Sequence, residues 1–326
     1  MPRPLSGATA APPLDPDPGL DATFGYDLER LLSIGVPDNE PGDLDVFWAG
    51  VKAAADAVDA QPELGTWRRH DDYHEVADVS FTSLDGIRIG GWLVRPDTGV
   101  TRGLVVGHGY GGRAAADGWL PDGAAAIYPV ARGLPTRSLV AGIGETSVEH
   151  VLAGIESPRT YSHVGSTADY WIAGRVLRAL VLGTERLDYV GGSFGAGIGV
   201  FVLAYDRSFA AGVLEVPSFG HHPIRLTLSC LGSAEAIRLH ALRHPDVVDT
   251  LRYVDSATVA TRVSQPVLVL AALADPMVPP PGQFAVANAL AGPTSVHVLP
   301  AGHAQYTGMV EATAEADAVV RAFLGA

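Results

Sequence analysis

Three residues of this 326-residue chain have the types and settings for acyl-transfer chemistry: Ser193, Asp275 and His303. Ser193 sits in Gly191-Gly192-Ser193-Phe194-Gly195, directly after the apolar run "LDYV" and before the small-residue segment "GAGIGVFVLAY". A strand, a sharp turn and a helix in that order would present a serine Oγ at the top of a sheet. Flanking glycines suit such a turn because a side chain there would strike the neighbouring strand and helix. A serine hydroxyl is a weak nucleophile near neutral pH, so it needs a base, and the base needs an orienting acid. Asp275 in "AALADPMVPP" and His303 in "LPAGHAQY" each follow an apolar run, which gives the chain order Ser, Asp, His.

An acyl-transfer site also needs a second donor for the developing oxyanion. "VVGHGYGGR" runs from a strand into a glycine-rich turn, so the amides of Tyr110 and Phe194 are the expected oxyanion pair. The Tyr110 ring and hydroxyl are expected to line the pocket, and His108 to hold its loop. Glu215 in "VLEVP" competes for the acid role and ranks below Asp275. His221 and His222 invite a metal reading, but adjacent side chains seldom converge on one ion. His221 is instead a candidate substrate contact, and no metal or organic cofactor is expected. "GGSFGAGIG" also fits a dinucleotide-type glycine pattern, yet it comes late in the chain and lacks a clear acidic residue for a ribose.

Those loops must be held by a sheet. Short apolar runs at 103–109, 124–130, 187–192, 212–217, 266–273 and 295–300 read as strands covered on both faces. Helices fit between them at 165–183, 195–205 and 281–291, and successive βα units imply a mostly parallel sheet in an α/β fold. Upstream, "YHEVADVSFTS" and "IRIGGWLVRP" flank "LDG" as an antiparallel hairpin on the sheet edge. Residues 44–60 have the spacing of an amphipathic helix, with turn and N-cap chemistry in "NEPGD". Residues 218–262 read as a helical segment and a candidate lid. The expected division is an N-terminal extension over 1–39 and a catalytic domain over 40–326.

Composition narrows the partners. Thirty-six acidic against 22 basic residues give a formal charge of −14, which repels nucleic acid and anionic membranes. No long apolar window suggests a membrane span. The lone cysteine, Cys230, has no companion for an intrachain disulfide. With a proline- and aspartate-broken N-terminus unlike a signal peptide, it points to the cytoplasm.

Across residues 40–325 the chain resembles the acetyl xylan esterase and cephalosporin C deacetylase family of α/β-hydrolases. The likeness rests on "PGDLDVFWAGV", "VSFTSLDGIRIGGWLVRP", "GHGYGGR", "GIESPRTY", "GGSFGAG", "ADPMVPP" and "AGHAQY". The resemblance implies Ser193, Asp275 and His303 as a catalytic triad, with the amides of Tyr110 and Phe194 as oxyanion donors. It further implies release of small acyl groups, chiefly acetyl, from sugars or similar alcohols, and a ring-shaped homohexamer. Two positions depart from the family pattern. Phe194 stands where a glutamine is typical, and Arg132-Gly133-Leu134 where the family has Arg-Gly-Gln. Both changes replace an amide by an apolar group, so Phe194 and Leu134 are expected to pack together and to border a more apolar substrate site. A serine esterase acting on a small-molecule ester is therefore the expected function. Acyl transfer or ring closure by the same triad, and a non-catalytic binding protein of the same fold, stand as alternatives.

Overall fold

Ten strands form one sheet in the computed structural model, which describes residues 19–325 apart from Asp117. Two short strands, β1 (Glu63–Leu64) and β2 (Arg68–Arg69), border β3 (His74–Thr82). β3 and β4 (Arg88–Pro96) are the expected hairpin, antiparallel from His74 opposite Pro96 to Thr82 opposite Arg88. Then come β5 (Arg102–Val106), β6 (Ala124–Pro129), β7 (Leu187–Gly192), β8 (Phe209–Glu215), β9 (Val267–Ala272) and β10 (Thr294–Leu299). The spatial order is β1-β3-β4-β6-β5-β7-β8-β9-β10. From β6 to β10 all neighbours are parallel, while β4 meets β6 antiparallel. The chain steps from β5 outward to β6 and then back past β5 to β7. That reversal leaves a crevice at the carboxyl ends of β5 and β7, where open α/β sheets bind ligands.

The helices are α1 (Leu28–Leu32), α2 (Leu44–Ala57), α3 (Ser147–Leu152), α4 (Ser162–Leu180), α5 (Phe194–Tyr205), α6 (His222–Arg225), α7 (Gly232–Arg243), α8 (Val247–Leu251), α9 (Ser256–Ala260), α10 (Pro280–Ala289) and α11 (Met309–Leu324). α5 is apolar almost all round and buried from Phe194 to Ala204, as a helix sandwiched between sheet and neighbouring helices must be. α2 inserts a fully buried Trp48, whose indole N–H donates to the Tyr253 carbonyl at 2.8 Å. Asp43 precedes α2 but makes no side-chain cap; its carboxylate accepts from the Tyr253 hydroxyl instead.

Several expectations are corrected. β10 is not covered on both faces: it has one strand neighbour, and Thr294 to Val296 are exposed. The boundary at residue 39 does not separate packing units. Residues 1–18 lie outside the described residues, but Leu31 is fully buried and Asn288 donates to the Leu31 and Ile34 carbonyls at 2.9 Å each. Nor is the 218–262 segment a single flap. α9 is buried along its length against α5 and α10, and α7 packs on α3, so much of the segment is wall and core.

Candidate active site

Ser193 occupies a turn at φ 54°, ψ −114°, between β7 and α5. A non-glycine residue there stores about 1–3 kcal/mol of strain, which the surrounding bonds must hold. The Ser193 amide donates to the Glu215 carbonyl at 2.8 Å, and its carbonyl accepts from the amides of Gly197 at 3.0 Å and Ser218 at 3.3 Å. Gly195 is required by a close approach: a Cβ there would lie 2.8 Å from the His108 carbonyl oxygen and 2.9 Å from the His108 nitrogen.

Asp275 and His303 converge on this serine from the ends of β9 and β10. The Ser193 hydroxyl donates to His303 Nε2 at 3.1 Å, and His303 Nδ1–H donates to Asp275 Oδ2 at 2.8 Å. Asp275 is fully buried. Its Oδ1 accepts the amides of Met277 at 2.9 Å and Val278 at 3.0 Å, and its Oδ2 also accepts Gln283 Nε2 at 3.2 Å. Glycine is needed at 302 as well, because a Cβ there would sit 2.4 Å from Asp275 Oδ2. Burial alone would press the His303 pKa down. The charge of Asp275, its hydrogen bond and the charge of Glu215 outweigh that, and the imidazole is held above its ordinary 6.5. Glu215 thus contributes field, while the hydrogen bond to the ring belongs to Asp275.

The amides of Tyr110 and Phe194 find no acceptor among the described residues. Gly109, just before Tyr110, would place a Cβ 3.5 Å from the Ser193 Cβ, so the two loops are in contact. His108 braces the first loop. Its Nδ1–H donates to the Gly109 carbonyl at 2.8 Å and its Nε2 accepts the Ala131 amide at 3.0 Å, a neutral tautomer that burial protects by lowering its pKa to about 3.

The expected substrate contacts fare differently. Phe194 and Leu134 are both 0% exposed, so neither side chain lines an open surface. Phe194 lies among Tyr110 at 4.5 Å between ring centroids, His150 at 5.5 Å, His163 at 5.7 Å and Phe219 at 6.1 Å. His150 links it to the Leu134 loop, since His150 Nε2–H donates to the Arg132 carbonyl at 2.8 Å. The Tyr110 hydroxyl turns inward rather than toward a pocket. It donates to His150 Nδ1 at 3.2 Å and accepts from His163 Nε2–H at 3.1 Å, the assignment that the His150 bond to Arg132 dictates. His221 is a helix cap: its Nδ1 accepts the Ile224 amide at 3.2 Å at the start of α6.

Sequence reasoning missed Gln283, His150, His163 and Arg132 with Asp169. Gln283 is fully buried, clamps the acid loop through Asp275 and Val278, and accepts the Ala272 amide. It lies in the first turn of the helix after "DPMVPP", where a polar side chain can reach back to the loop; that offset is the only signal. Ala22 was missed too, although its carbonyl accepts the Asp275 amide at 2.8 Å. Among the described residues no group of three or more His, Cys, Asp or Glu is placed to hold a metal ion, and no helix is long and apolar enough to cross a membrane.

Residues 22–318 match the family model for acetyl xylan esterase. Among solved structures, the fold is similar to an acetyl xylan esterase from Paenibacillus sp. R4, at 22% identity and a TM-score of 0.74, covering 90% of this chain and 99% of that one. It is also similar to acetyl xylan esterase 1 from Thermoanaerobacterium sp. JW/SL YS485, at 22% identity and a TM-score of 0.77, covering 89% and 97%. A more distant likeness, at 16% identity and a TM-score of 0.60, is to an acylaminoacyl peptidase from Pyrococcus horikoshii, covering 78% of this chain and 42% of that one.

Proposed function

The chain belongs to the acetyl xylan esterase family and is a serine ester hydrolase, and from that premise we propose that Ser193, His303 and Asp275 carry its reaction on a small acetylated alcohol. The observation supporting the assignment is the unbroken bond chain from the Ser193 hydroxyl through His303 to the buried Asp275 carboxylate. Ser193 Oγ attacks the ester carbonyl as His303 Nε2 takes its proton. The carbonyl oxygen, now negative, lies against the amides of Phe194 and Tyr110, donors that need no reorganisation. Collapse breaks the bond to the alcohol oxygen, which leaves with the proton held by His303. Water then attacks the acyl-enzyme with His303 as base, and the carboxylic acid and free serine result. Asp275 fixes the imidazole with Nδ1 protonated and stabilises its positive form.

Small acetylated sugars and natural products are the substrates proposed, on the resemblance to cephalosporin C deacetylases. A homohexamer in the cytoplasm is proposed on the same ground together with the single buried thiol of Cys230, whose pKa burial raises to about 11. Hydrolysis of p-nitrophenyl acetate, butyrate and octanoate tests the chemistry. The expected result is acetate turnover that falls by ~10⁴-fold or more in Ser193→Ala, as triad nucleophiles elsewhere do. Turnover that survives the substitution overturns the assignment of Ser193. Light scattering reads the assembly.

A further inference from the structure

The backbone amide of Asp275 donates to the carbonyl of Ala22 at 2.8 Å. Asp275 is fully buried, so this amide has no water in reach and depends on that carbonyl. Other restraints act on the carboxylate itself: the amides of Met277 and Val278, from its own loop, at Oδ1, and Gln283 at Oδ2. The Ala22 contact differs from these because it comes from a strap, residues 21–34, that precedes every strand of the sheet.

The strap is shaped where it meets the acid and tied where it leaves. At the near end Asp21 folds a tight turn. Its Oδ1 accepts the Thr23 amide at 3.0 Å and the Thr23 hydroxyl at 2.6 Å, and its Oδ2 accepts the Gly25 amide at 3.2 Å. A side chain that closes a turn in this way fixes the direction of the peptide groups inside it, here the carbonyl of Ala22. The Phe24 amide donates to the Asp21 carbonyl at 3.0 Å, and Arg30 donates from α1 to the Gly25 carbonyl at 2.7 Å. At the far end Leu31 is fully buried, and Asn288 donates to the Leu31 and Ile34 carbonyls at 2.9 Å each. Asn288 belongs to α10, the helix whose Gln283 grips Asp275 Oδ2. The bonds close a ring: acid loop to strap through Ala22, strap to α10 through Asn288, and α10 back to the acid loop through Gln283.

We propose that the strap is a positioning element of the catalytic site, one that fixes the backbone at Asp275 and thereby the bond from Asp275 to His303. The inference rests on the assignment of Ser193, His303 and Asp275 as the reacting groups. Loosening either anchor lets the acid loop drift, which weakens both tasks of the carboxylate, holding the imidazole tautomer and stabilising its positive form. A displacement of about 1 Å far from the chemistry can cost ~10²-fold in rate. The strap supplies no part of the Ser193 turn or the Tyr110 loop, so the loss falls on kcat rather than on KM.

The anchors Asp21 and Asn288 are both exposed, so they can be changed in the full chain without opening its core. Asp21→Ala and Asn288→Ala are assayed on p-nitrophenyl acetate across pH, with rates referred to the folded fraction from circular dichroism. Each is expected to lower kcat by ~10-fold or more and to leave KM within ~2-fold. The acid limb of kcat/KM is expected to move down toward 6.5, as the carboxylate loses its hold on the base. Asp21→Asn, whose side-chain oxygen still accepts from Thr23, is expected to recover most of the loss. A limb that stays in place in either alanine variant overturns the proposal, whether or not the urea midpoint falls, because the strap would then be a structural tie only. An Asp21→Asn variant as slow as Asp21→Ala overturns it too, since the turn would not be what carries the effect. Ser193→Ala run beside them separates the two readings: wild-type turnover there removes the triad assignment, whereas an inactive Ser193→Ala beside unaffected strap variants removes only the role of the strap.

Discussion

Two sets of histidines border the nucleophile, and they are tuned in opposite directions. His303 lies beside a buried carboxylate and is held above its ordinary pKa. His163 and His150, on the Phe194 and Tyr110 side, are more deeply buried and lie among rings and hydroxyls; burial holds His163 well below the usual range and brings His150 to about 4. His303 keeps about a fifth of its side chain exposed while the other two are buried, so both the partner and the fuller burial set the two groups apart. A carboxylate compensates an imidazolium, whereas a tyrosine hydroxyl serves a neutral ring equally well in either direction. The first set can move protons at neutral pH; the second is scaffold, and its protons are ordered from His163 through Tyr110 to His150 and the Arg132 carbonyl.

Removing the carboxylate should make the two sets alike, with the largest effect. Asp275→Asn is expected to lower kcat by ~10⁴-fold, because the amide favours the wrong tautomer and no longer stabilises the imidazolium. In the wild type the base must be neutral, so kcat/KM should fall as pH drops through an apparent value above 6.5. In the variant that acid limb should move to lower pH. A variant with wild-type kcat, or a limb that does not move, would detach Asp275 from the base.

Acid should expose the second set through stability. The pKa values of His108, His150, His163 and His222 are depressed in the folded chain, to about 3 for His108 and about 4 for His150. Below 6.5 the unfolded state therefore binds more protons at these positions. Their contribution is fully present above 6.5 and is lost as pH falls toward the folded values, at ~1.4 kcal/mol per pH unit for each imidazole. His303 works oppositely: its raised pKa stabilises below 6.5, and that part is lost as pH rises through the folded value. Four rings against one predict a net loss of several kcal/mol between pH 7 and pH 5, read as a lower urea midpoint. A midpoint that is level or higher at pH 5 would mean the four rings are not held neutral.

The smallest of the three effects belongs to Tyr110→Phe. The ring stays, but His163 Nε2–H and His150 Nδ1 lose their common partner, and unfolding should become easier by ~1–3 kcal/mol. Any fall in kcat should be far smaller than that of Asp275→Asn, since the backbone amide is retained. A variant as stable as the wild type would show that the hydroxyl is not the link between those histidines.

Much of this site was legible because its chemistry is tied to local punctuation. Ser193, Asp275 and His303 each follow an apolar run and sit beside glycine or proline, and the structure brings all three together. The hairpin was legible for the same reason, since alternation and a "LDG" turn are short-range signals. Phe194 and Leu134 were misread as pocket surface because an apolar residue near a nucleophile looks the same in sequence whether it faces substrate or core. β10 was misread because an apolar run does not say whether a strand has one neighbour or two.

The sequence by itself therefore determined the fold class, the hairpin edge and the loops that carry Ser193, Asp275 and His303, the three groups proposed to react, because strand, turn and helix preferences act over a few residues. Only the tertiary structure decided how burial and partners tune them. Gln283 on Asp275, Ala22 beneath the same loop and the neutral histidine chain behind Phe194 all join groups from separate elements. Charge and hydrogen-bond energies depend on distances of a few ångströms through space and on the water excluded between them, and neither quantity is written in the spacing along the chain.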